Sequence, residues 1–361
     1  MRSVRILQLS PYHYPFLGGI EHRIHHLSKR LARSNEVIVV TSRLDGTERE
    51  EEMDGYRVVR LDSRFIDIYN PPFVSSKGVL AALERLEPDI VDFHYRWAPS
   101  YTRQALKHEG KMVFTYHNTF GEGEGALRAL SYLNDWAFMR RMHRFDKVIC
   151  ISEFVRKDNA KHGLPMEKMV VVPNGVELPS RPSREEDFIL SLGRMVHTKG
   201  LEYLVRAMHQ VDMKLVMAGV GPEKERMVTL AKSQGIEDRV EILGRVSEDL
   251  KDELFATCKL FVMPSLFESY GIAAAEAMSY GKAVVATDVG GLPEVIGDCG
   301  ALVPPKDSQA LANEINLLLD NDELRRELGA RALDRARSFS WDRVAKMQED
   351  VYRQVVEGPS G

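Results

Sequence analysis

Two glutamates in the segment FESYGIAAAE are well suited to bind a sugar-containing ligand. Glu276 stands in a run of alanines that predicts a buried helix, where an unpaired carboxylate is costly. A carboxylate accepts two hydrogen bonds side by side, which matches a vicinal diol such as that of a ribose. We therefore expect the partner of Glu276 to be a ligand. Glu268, on the preceding loop, is either a residue that binds the hydroxyls of a second sugar or a surface acid.

Two cations five residues apart suit the binding of a diphosphate. Arg194 and Lys199 lie in the glycine-bounded segment LGRMVHTKG, which follows a predicted strand. Arginine binds phosphate oxygens through its planar fork and lysine binds them as a point charge, so the pair can clamp a diphosphate. The alternative is that both are solvated loop charges.

Backbone N–H groups at predicted helix N-termini offer further anion sites. Gly18 and Gly19 begin the first predicted helix, although such a pair is also compatible with a turn that only shapes the chain. The second N-terminus, ahead of the alanine run, comprises Ser269, Tyr270, Gly271 and Ile272.

A dinucleotide fingerprint is not complete at either glycine-rich turn. No third glycine follows Gly18 and Gly19 at the required spacing, and Lys224 occupies the third position after Gly219 and Gly221. We expect Gly219 and Gly221 to form a tight strand-to-helix turn beside the ligand.

The elements that position these residues alternate between apolar strands and amphipathic helices, the pattern of parallel α/β domains. A first series of strands is predicted at residues 4–9, 37–41, 57–61, 90–93, 112–116 and 147–151. A second series is predicted at 188–192, 214–218, 240–243, 260–263 and 283–286, after a Pro-rich linker at 170–187. We expect two doubly wound, Rossmann-like domains, 1–176 and 177–340, and a C-terminal helix within 341–361 that can cross back to the first domain. Ligands of such sheets bind beyond the carboxyl ends of the strands.

Composition favours a soluble globular enzyme in a reducing compartment. The 361 residues are too many for one ordinary core, and 44% are hydrophobic and 28% charged. Cys150, Cys258 and Cys299 are too far apart to indicate a disulfide framework or a CxxC metal site. No apolar run reaches the roughly 20 residues of a membrane span, and VRILQLS is too short for a signal peptide. We expect a cytoplasmic protein.

Charge is distributed unevenly although the net charge is only −4. Residues 1–178 hold 26 Lys and Arg against 23 Asp and Glu, and also nine of the eleven histidines, whereas the rest holds 23 against 30. A basic first half suits an anionic substrate or a membrane surface, and a chance imbalance is the alternative. No nucleic-acid partner is expected. Asp320-Asn321-Asp322 matches the metal-binding DxD of other transferases, but its position between two helical patterns predicts a helix cap.

Several segments together resemble one enzyme family. GGIEHR, TYHNT, ISEF, VPNGVE, GRMVHTKG and ATDVGGLPEVI, with the E-x7-E of Glu268 and Glu276, resemble the retaining glycosyltransferases of family 4, also called glycosyl transferases group 1. The segments span nearly the whole chain in the right order. The resemblance implies the GT-B fold, in which two Rossmann-like domains face a deep cleft. It also implies transfer of a hexosyl or N-acetylhexosaminyl group from a UDP- or GDP-linked donor to a hydroxyl, with no metal and no cofactor.

The same resemblance implies residue roles. Arg194, Lys199 and Gly19, with Gly18 beside it, would bind the donor diphosphate, and Glu276 would bind the ribose. Glu268 would bind the donor sugar. His117 matches a histidine near the transferred sugar, so the candidate catalytic residues are His117, Glu268, Arg194 and Lys199. The nucleobase loop would comprise Gly244, Arg245, Val246 and Ser247.

The acceptor is open. Aromatic residues within 64–73 and the basic cluster Arg140, Arg141, His143 and Arg144 suit a lipid surface, or else the apolar residues are core and the basic ones solvated. Residues 12–16, 94–97 and 117–125 are further candidates. Several of these segments are similar to the catalytic subunits that start glycosylphosphatidylinositol synthesis from UDP-N-acetylglucosamine, but relatives that use GDP-mannose or UDP-glucose leave the donor open. A 2-epimerase of UDP-N-acetylglucosamine and a catalytically silent nucleotide-sugar-binding protein are the alternative functions. The R-x4-K and E-x7-E patterns with His117 favour transfer.

Overall fold

A computed structural model describes residues 2–66, 72–121, 125–179 and 183–358, with side chains except at 125–128. It divides into two compact units. Unit 1 comprises Met1–Gly175 and Trp341–Gly361, and unit 2 comprises Val176–Ser340. The last helix therefore belongs to unit 1, and residues 169–171 of the predicted linker form a strand of unit 1.

The strands are β1 (Arg5–Leu9), β2 (Glu36–Ser42), β3 (Glu50–Met53), β4 (Tyr56–Leu61), β5 (Ser63–Ile66), β6 (Phe73–Ser76), β7 (Ile90–Phe93), β8 (Met112–Tyr116), β9 (Lys147–Cys150), β10 (Met169–Val171), β11 (Phe188–Leu192), β12 (Lys214–Ala218), β13 (Val240–Gly244), β14 (Leu260–Met263), β15 (Val284–Thr287) and β16 (Ala301–Val303). The helices are α1 (Gly19–Leu31), α2 (Val79–Leu86), α3 (Pro99–Ala105), α4 (Gly125–Met139), α5 (Glu153–Lys161), α6 (Leu201–Ala207), α7 (Lys224–Ser233), α8 (Glu248–Thr257), α9 (Ile272–Ser279), α10 (Leu292–Ile296), α11 (Ser308–Asp320), α12 (Asp322–Arg337) and α13 (Trp341–Glu357).

The central sheet of unit 1 has eight strands in the order β10-β9-β8-β7-β1-β2-β4-β3. Its strands are parallel except β3, which pairs antiparallel with β4, while β5 and β6 form a separate hairpin. Side chains alternate between the two faces of a strand, and one face of this sheet is covered by α1 and α13. Ile24 and Leu27 of α1 and Val344 of α13 join that core, as expected for helices whose apolar residues recur every three or four positions.

Unit 2 has a parallel sheet of six strands in the order β13-β12-β11-β14-β15-β16. In sequence order within the unit this is 3-2-1-4-5-6, the order of dinucleotide-binding folds. The strand order reverses between β11 and β14, and a ligand crevice is expected beyond their carboxyl ends. The α/β prediction is confirmed.

Short elements escaped prediction. The sequence did not indicate β3, β5, β6, β10 or β16, which have three or four residues each. Such strands pair through backbone groups and carry too few buried side chains to give a periodic signal. Among the described helices, none is long and apolar enough to cross a membrane. Asn321 caps α12 by accepting a hydrogen bond from the Leu324 amide, 3.0 Å away, as the DxD segment predicts.

Candidate functional site

A recess in unit 2 lies at the point where the strand order reverses. Its walls come from the ends of β11, β12 and β14 and from the loops that follow β11 and β14. The lining residues are Ser191, Leu192, Gly193, Arg194, Met195, Lys199, Leu201, Met217, Ala218, Met263, Pro264 and Ser265. The structure thus places the predicted diphosphate cations at the position where doubly wound sheets bind ligands.

Lys199 and Glu268 form an ion pair beside this recess. The Lys199 ammonium donates to Glu268 Oε1, and the Ser265 hydroxyl donates to the same oxygen over 3.1 Å. Glu268 is only 8% exposed. The interpretation of Glu268 as a surface acid is therefore wrong. One oxygen of its carboxylate is held by two partners, so the pair fixes both side chains.

Arg194 differs from Lys199 in its surroundings. Its side chain is exposed, and its guanidinium makes no hydrogen bond or ion pair with the described residues. The loop that carries both cations is tied to the next loop, because the Thr198 carbonyl accepts from the Leu266 amide over 2.8 Å. A positioned lysine and an unengaged arginine thus line the same recess.

Glycines let the loops around Glu268 approach closely. Gly290 adopts φ +58°, and a Cβ there would overlap the carbonyl oxygen of Glu268. The neighbouring Gly291 amide donates to that carbonyl over 3.0 Å. The loop after β15 therefore packs backbone to backbone against the loop that carries Glu268, and larger residues would separate them.

Glu276 has a partner within the protein, which corrects the expectation of a ligand alone. Its Oε1 lies 3.1 Å from the Nζ of Lys251, a residue of α8 that also pairs with Glu248 at 2.6 Å. Burial lowers the pKa of Lys251, but Glu276 and Glu248 outweigh it and raise that pKa overall. Burial raises the pKa of Glu276, and Lys251 offsets only part of this. The second carboxylate oxygen leaves room for a ligand hydroxyl.

Lys251 is the residue that the sequence did not reveal. It lies on α8, four residues beyond Ser247, and only the tertiary structure brings it to α9. A signal existed in its spacing from Glu248, because residues three apart on a helix share a face.

The predicted nucleobase loop joins β13 to α8. Gly244 ends β13 with φ +73°, and its carbonyl accepts from the Gly219 amide over 2.7 Å. Arg245 is exposed, Val246 is partly buried, and Ser247 caps α8 by accepting from the Leu250 amide. The loop is thereby held at both ends.

The N-terminus of α9 follows Gly271, which adopts φ +107°, a conformation that favours glycine. Ile272 is the first helical residue, Tyr270 is buried, and Ser269 is partly buried. The free amides of this first turn are groups that can bind a phosphate.

In unit 1, Gly18 caps α1 in an extended conformation and Gly19 is its first residue. The Glu21 carboxylate lies against Gly18, is buried, and has a pKa that burial raises to about 7. A carboxylate in this first turn already interacts with the positive end of the helix. The predicted anion site at Gly18 and Gly19 therefore includes an acid that the sequence reasoning did not consider.

His117 follows β8 and is 7% exposed. Its Nε2 lies 3.1 Å from Nδ1 of His94, another buried histidine, which follows β7. Burial lowers the pKa of both rings well below the ordinary value, so both are neutral at physiological pH.

The surface of α4 exposes a set of apolar side chains, which we call the α4 patch. Trp136 is 48% exposed, and the Arg140 guanidinium stacks over its ring at 3.5 Å. The patch comprises Leu130, Tyr132, Leu133 and Trp136. The predicted lipid segment 64–73 and the acceptor segment 117–125 fall partly outside the described residues, at 67–71 and 122–124.

Comparison with known proteins identifies the family. The model of Glycosyltransferase Family 4 matches residues 17–179, and that of glycosyl transferases group 1 matches residues 179–335. The chain belongs to the group 1, family 4 glycosyltransferases. The two matches follow each other without a gap, so the family assignment covers both units of this glycosyltransferase.

Relatives and solved structures agree with this assignment. The chain is 26% identical to the phosphatidylinositol N-acetylglucosaminyltransferase of Arabidopsis thaliana over 387 residues, covering 98% of this chain and 83% of that protein. It is 30% identical to alpha-maltose-1-phosphate synthase of Mycolicibacterium smegmatis over 259 residues, covering 62% and 67%. The structure of HepE from Anabaena in complex with UDP and glucose matches with a TM-score of 0.79 at 20% identity, covering 96% and 99%. The fold is GT-B.

Proposed function

We propose that this glycosyltransferase transfers a hexosyl or N-acetylhexosaminyl group from a UDP- or GDP-linked donor to a hydroxyl acceptor, with retention of configuration and without a metal. The observation that carries the proposal is the pairing of Lys199 with Glu268 beside Arg194, at the strand-order reversal of unit 2. Cations for a diphosphate and a carboxylate for sugar hydroxyls then lie within one site.

The proposed chemistry follows from the charge that develops when the anomeric bond breaks. Negative charge accumulates on the leaving diphosphate, and the sugar acquires oxocarbenium character. Fixed donors aimed at the leaving group lower this barrier, each by roughly 3 to 4 kcal/mol. Arg194, Lys199 and the amides at the start of α9 are such donors. The leaving phosphate can take the proton of the acceptor hydroxyl, which removes the need for a separate base.

UDP is the first nucleotide to test. The Arabidopsis relative is named as an N-acetylglucosaminyltransferase, and the Anabaena neighbour was solved with UDP. A nucleobase loop held mainly through its backbone, as in the turn at Gly244, does not itself select a base. GDP remains the alternative.

A lipid-linked or phosphorylated acceptor fits the α4 patch, and we propose that this patch touches a membrane surface. Exposed leucine and tryptophan side chains insert into the interfacial region of a bilayer, and a neighbouring arginine attracts anionic headgroups. Trp136 and Arg140 combine the two properties.

The donor assignment is tested by calorimetric titration of the purified protein with UDP, GDP and ADP, with and without EDTA. We expect selective binding of one diphosphate that EDTA does not abolish. Arg194→Ala and Lys199→Ala should chiefly reduce turnover. The matched control is Lys214→Ala, since Lys214 is a half-exposed lysine of unit 2 paired with Glu241. Absence of binding by all three nucleotides, or formation of a 2-epimer without transfer, would refute the proposal.

The membrane proposal needs its own assay. Sedimentation with anionic phospholipid vesicles should fall at least about tenfold for Trp136→Ser. Leu317→Ser, at an equally exposed apolar residue of unit 2, is the control and should not change it. Equal sedimentation of both variants and the unaltered protein would refute the role of the patch.

A further inference from the structure

A buried polar cluster lies beneath His117 in unit 1. Gln8 pairs in register with Asp92 of the adjacent strand, and side chains two residues apart point to the same face. Asp92 and His94 therefore share the face of Gln8, and so do Thr115 and His117 one strand further. This is the face covered by α1 and α13, at the reversal of strand order between β1 and β7. All five residues are less than a tenth exposed.

The direction of the hydrogen bonds in this cluster is set from Arg23, which is fully buried on α1. Arginine only donates, so Gln348 of α13 must accept with Oε1, which lies 2.9 Å from the guanidinium. The amide nitrogen of Gln348 then faces Asp92 Oδ2 at 2.8 Å and the Tyr352 hydroxyl at 2.9 Å. Asp92 accepts a further hydrogen bond from Thr115 over 2.8 Å.

Tyr352 carries this direction towards the histidines. Its hydroxyl donates to Asp92 Oδ2 over 2.5 Å, so its oxygen can only accept from the amide nitrogen of Gln8, which is 2.9 Å away. Gln8 then presents its carbonyl Oε1 to Nε2 of His94. Asp92 Oδ2 also lies 3.6 Å from that nitrogen. Both neighbours of His94 Nε2 are acceptors, so this nitrogen carries the proton.

The tautomer of His117 follows from that of His94. A neutral His94 with its proton on Nε2 has a lone pair on Nδ1, which lies 3.1 Å from His117 Nε2. His117 must therefore donate from Nε2. Its other nitrogen, Nδ1, has a lone pair and no hydrogen-bond partner among the described residues.

We propose that Tyr352 and Gln348, on the C-terminal helix α13, hold His117 in the tautomer with its proton on Nε2, so that Nδ1 accepts a hydrogen bond from a substrate hydroxyl. The inference rests on the proposed function and adds positioning residues that are more than 200 positions away from His117 in sequence. Reversing the chain of donors would offer the hydroxyl an N–H instead. The last helix thereby contributes to the sugar site without touching it.

The ionisation of Asp92 sets the conditions for a test. Burial raises the pKa of Asp92 to about 7, against the hydrogen bonds from Tyr352 and Thr115 that lower it. At pH 8 the carboxylate form that accepts from Tyr352 predominates. The tautomer is read directly by nitrogen-15 NMR of histidine-labelled protein at this pH, because protonated and unprotonated ring nitrogens have distinct shifts.

The unaltered protein should show His117 with its proton on Nε2. In Tyr352→Phe the Asp92 and Gln8 ends of the chain are disconnected, so a mixture of tautomers should appear. We expect kcat to fall about tenfold with KM little changed. Tyr101→Phe is the matched control, because Tyr101 is an equally buried tyrosine of unit 1 whose hydroxyl bonds to Ser42 instead. It should leave the His117 signals and kcat unchanged.

A proton on Nδ1 in the unaltered protein would overturn the inference, even if no variant folds. An unchanged His117 spectrum in a folded Tyr352→Phe variant would overturn it as well. Absence of glycosyl transfer by the unaltered protein would instead refute the proposed function, and the NMR result would still decide the hydrogen-bond direction.

Discussion

Replacing Lys251 by methionine separates the structural role of Glu276 from its proposed role in ribose binding. The change keeps much of the apolar stem but removes the ammonium that lies 3.1 Å from the carboxylate. Breaking a fully buried ion pair costs about 3 to 5 kcal/mol, and an exposed pair contributes less than about 1 kcal/mol. The Lys251 and Glu276 side chains are 16% and 18% exposed, so we expect a loss of about 2 kcal/mol.

The assay is a double-mutant cycle in unit 2. The tryptophans Trp97, Trp136 and Trp341 all lie in unit 1, so their fluorescence does not report on unit 2. Hydrogen exchange of the amides of α8 and α9 measures the local free energy instead. Lys251→Met combined with Glu276→Gln should recover most of the lost stability, because the unpaired carboxylate is gone.

Ligand binding provides the second half of this test. Glu276→Ala should weaken binding of the preferred nucleoside diphosphate by about 10 to 100-fold, the worth of two ribose hydrogen bonds. Lys259→Met is the control for stability, because its partner Asp187 is 80% exposed and the loss should stay below about 1 kcal/mol. Equal stability of Lys251→Met and the unaltered protein, with unchanged nucleotide affinity in Glu276→Ala, would refute both roles.

Two further predictions concern the loops and the start of α1. Gly290→Ala should reduce both donor affinity and the stability of unit 2, since a Cβ would overlap the Glu268 carbonyl; Gly235→Ala, at φ +65° with open space around it, should cost only the roughly 1 to 2 kcal/mol of backbone strain, and equal effects would contradict the packing argument. The pKa of Glu21 rises from 4.5 to about 7 on burial, so its contribution to stability is full below pH 4.5 and is lost as the pH rises through 7, about 3 kcal/mol in all; Glu21→Gln should therefore gain stability over the unaltered protein between pH 5 and pH 8 in tryptophan fluorescence, and a constant difference would exclude a titrating Glu21.

Much of the fold could be predicted from the sequence. The long apolar strands have a strong local signal, because strands of parallel sheets are buried on both faces and consist of consecutive apolar residues. The strands at 90–93, 112–116, 188–192, 214–218 and 260–263 have the predicted bounds. The short strands at the sheet edges carry no such signal, and their pairing is decided by backbone contacts with distant residues.

The candidate site divides in the same way. The residue types and spacing of Arg194, Lys199, Glu268 and Glu276 identify groups that suit a nucleotide sugar, because charge and hydrogen-bonding capacity are properties of each side chain. Their binding roles stay predictions. The sequence does not show that Lys199 holds Glu268, since that contact joins residues 69 positions apart.

The sequence by itself determined the alternation of strands and helices, the two series of strands and the kinds of ligand group that each candidate side chain can bind. These depend on local periodicity and on side-chain chemistry. Only the tertiary structure decided that Lys251 pairs with Glu276 and that α13 returns to unit 1, where Tyr352 and Gln348 direct the hydrogen bonds of His117. Such contacts depend on which distant surfaces are buried together, and burial is a property of the whole fold.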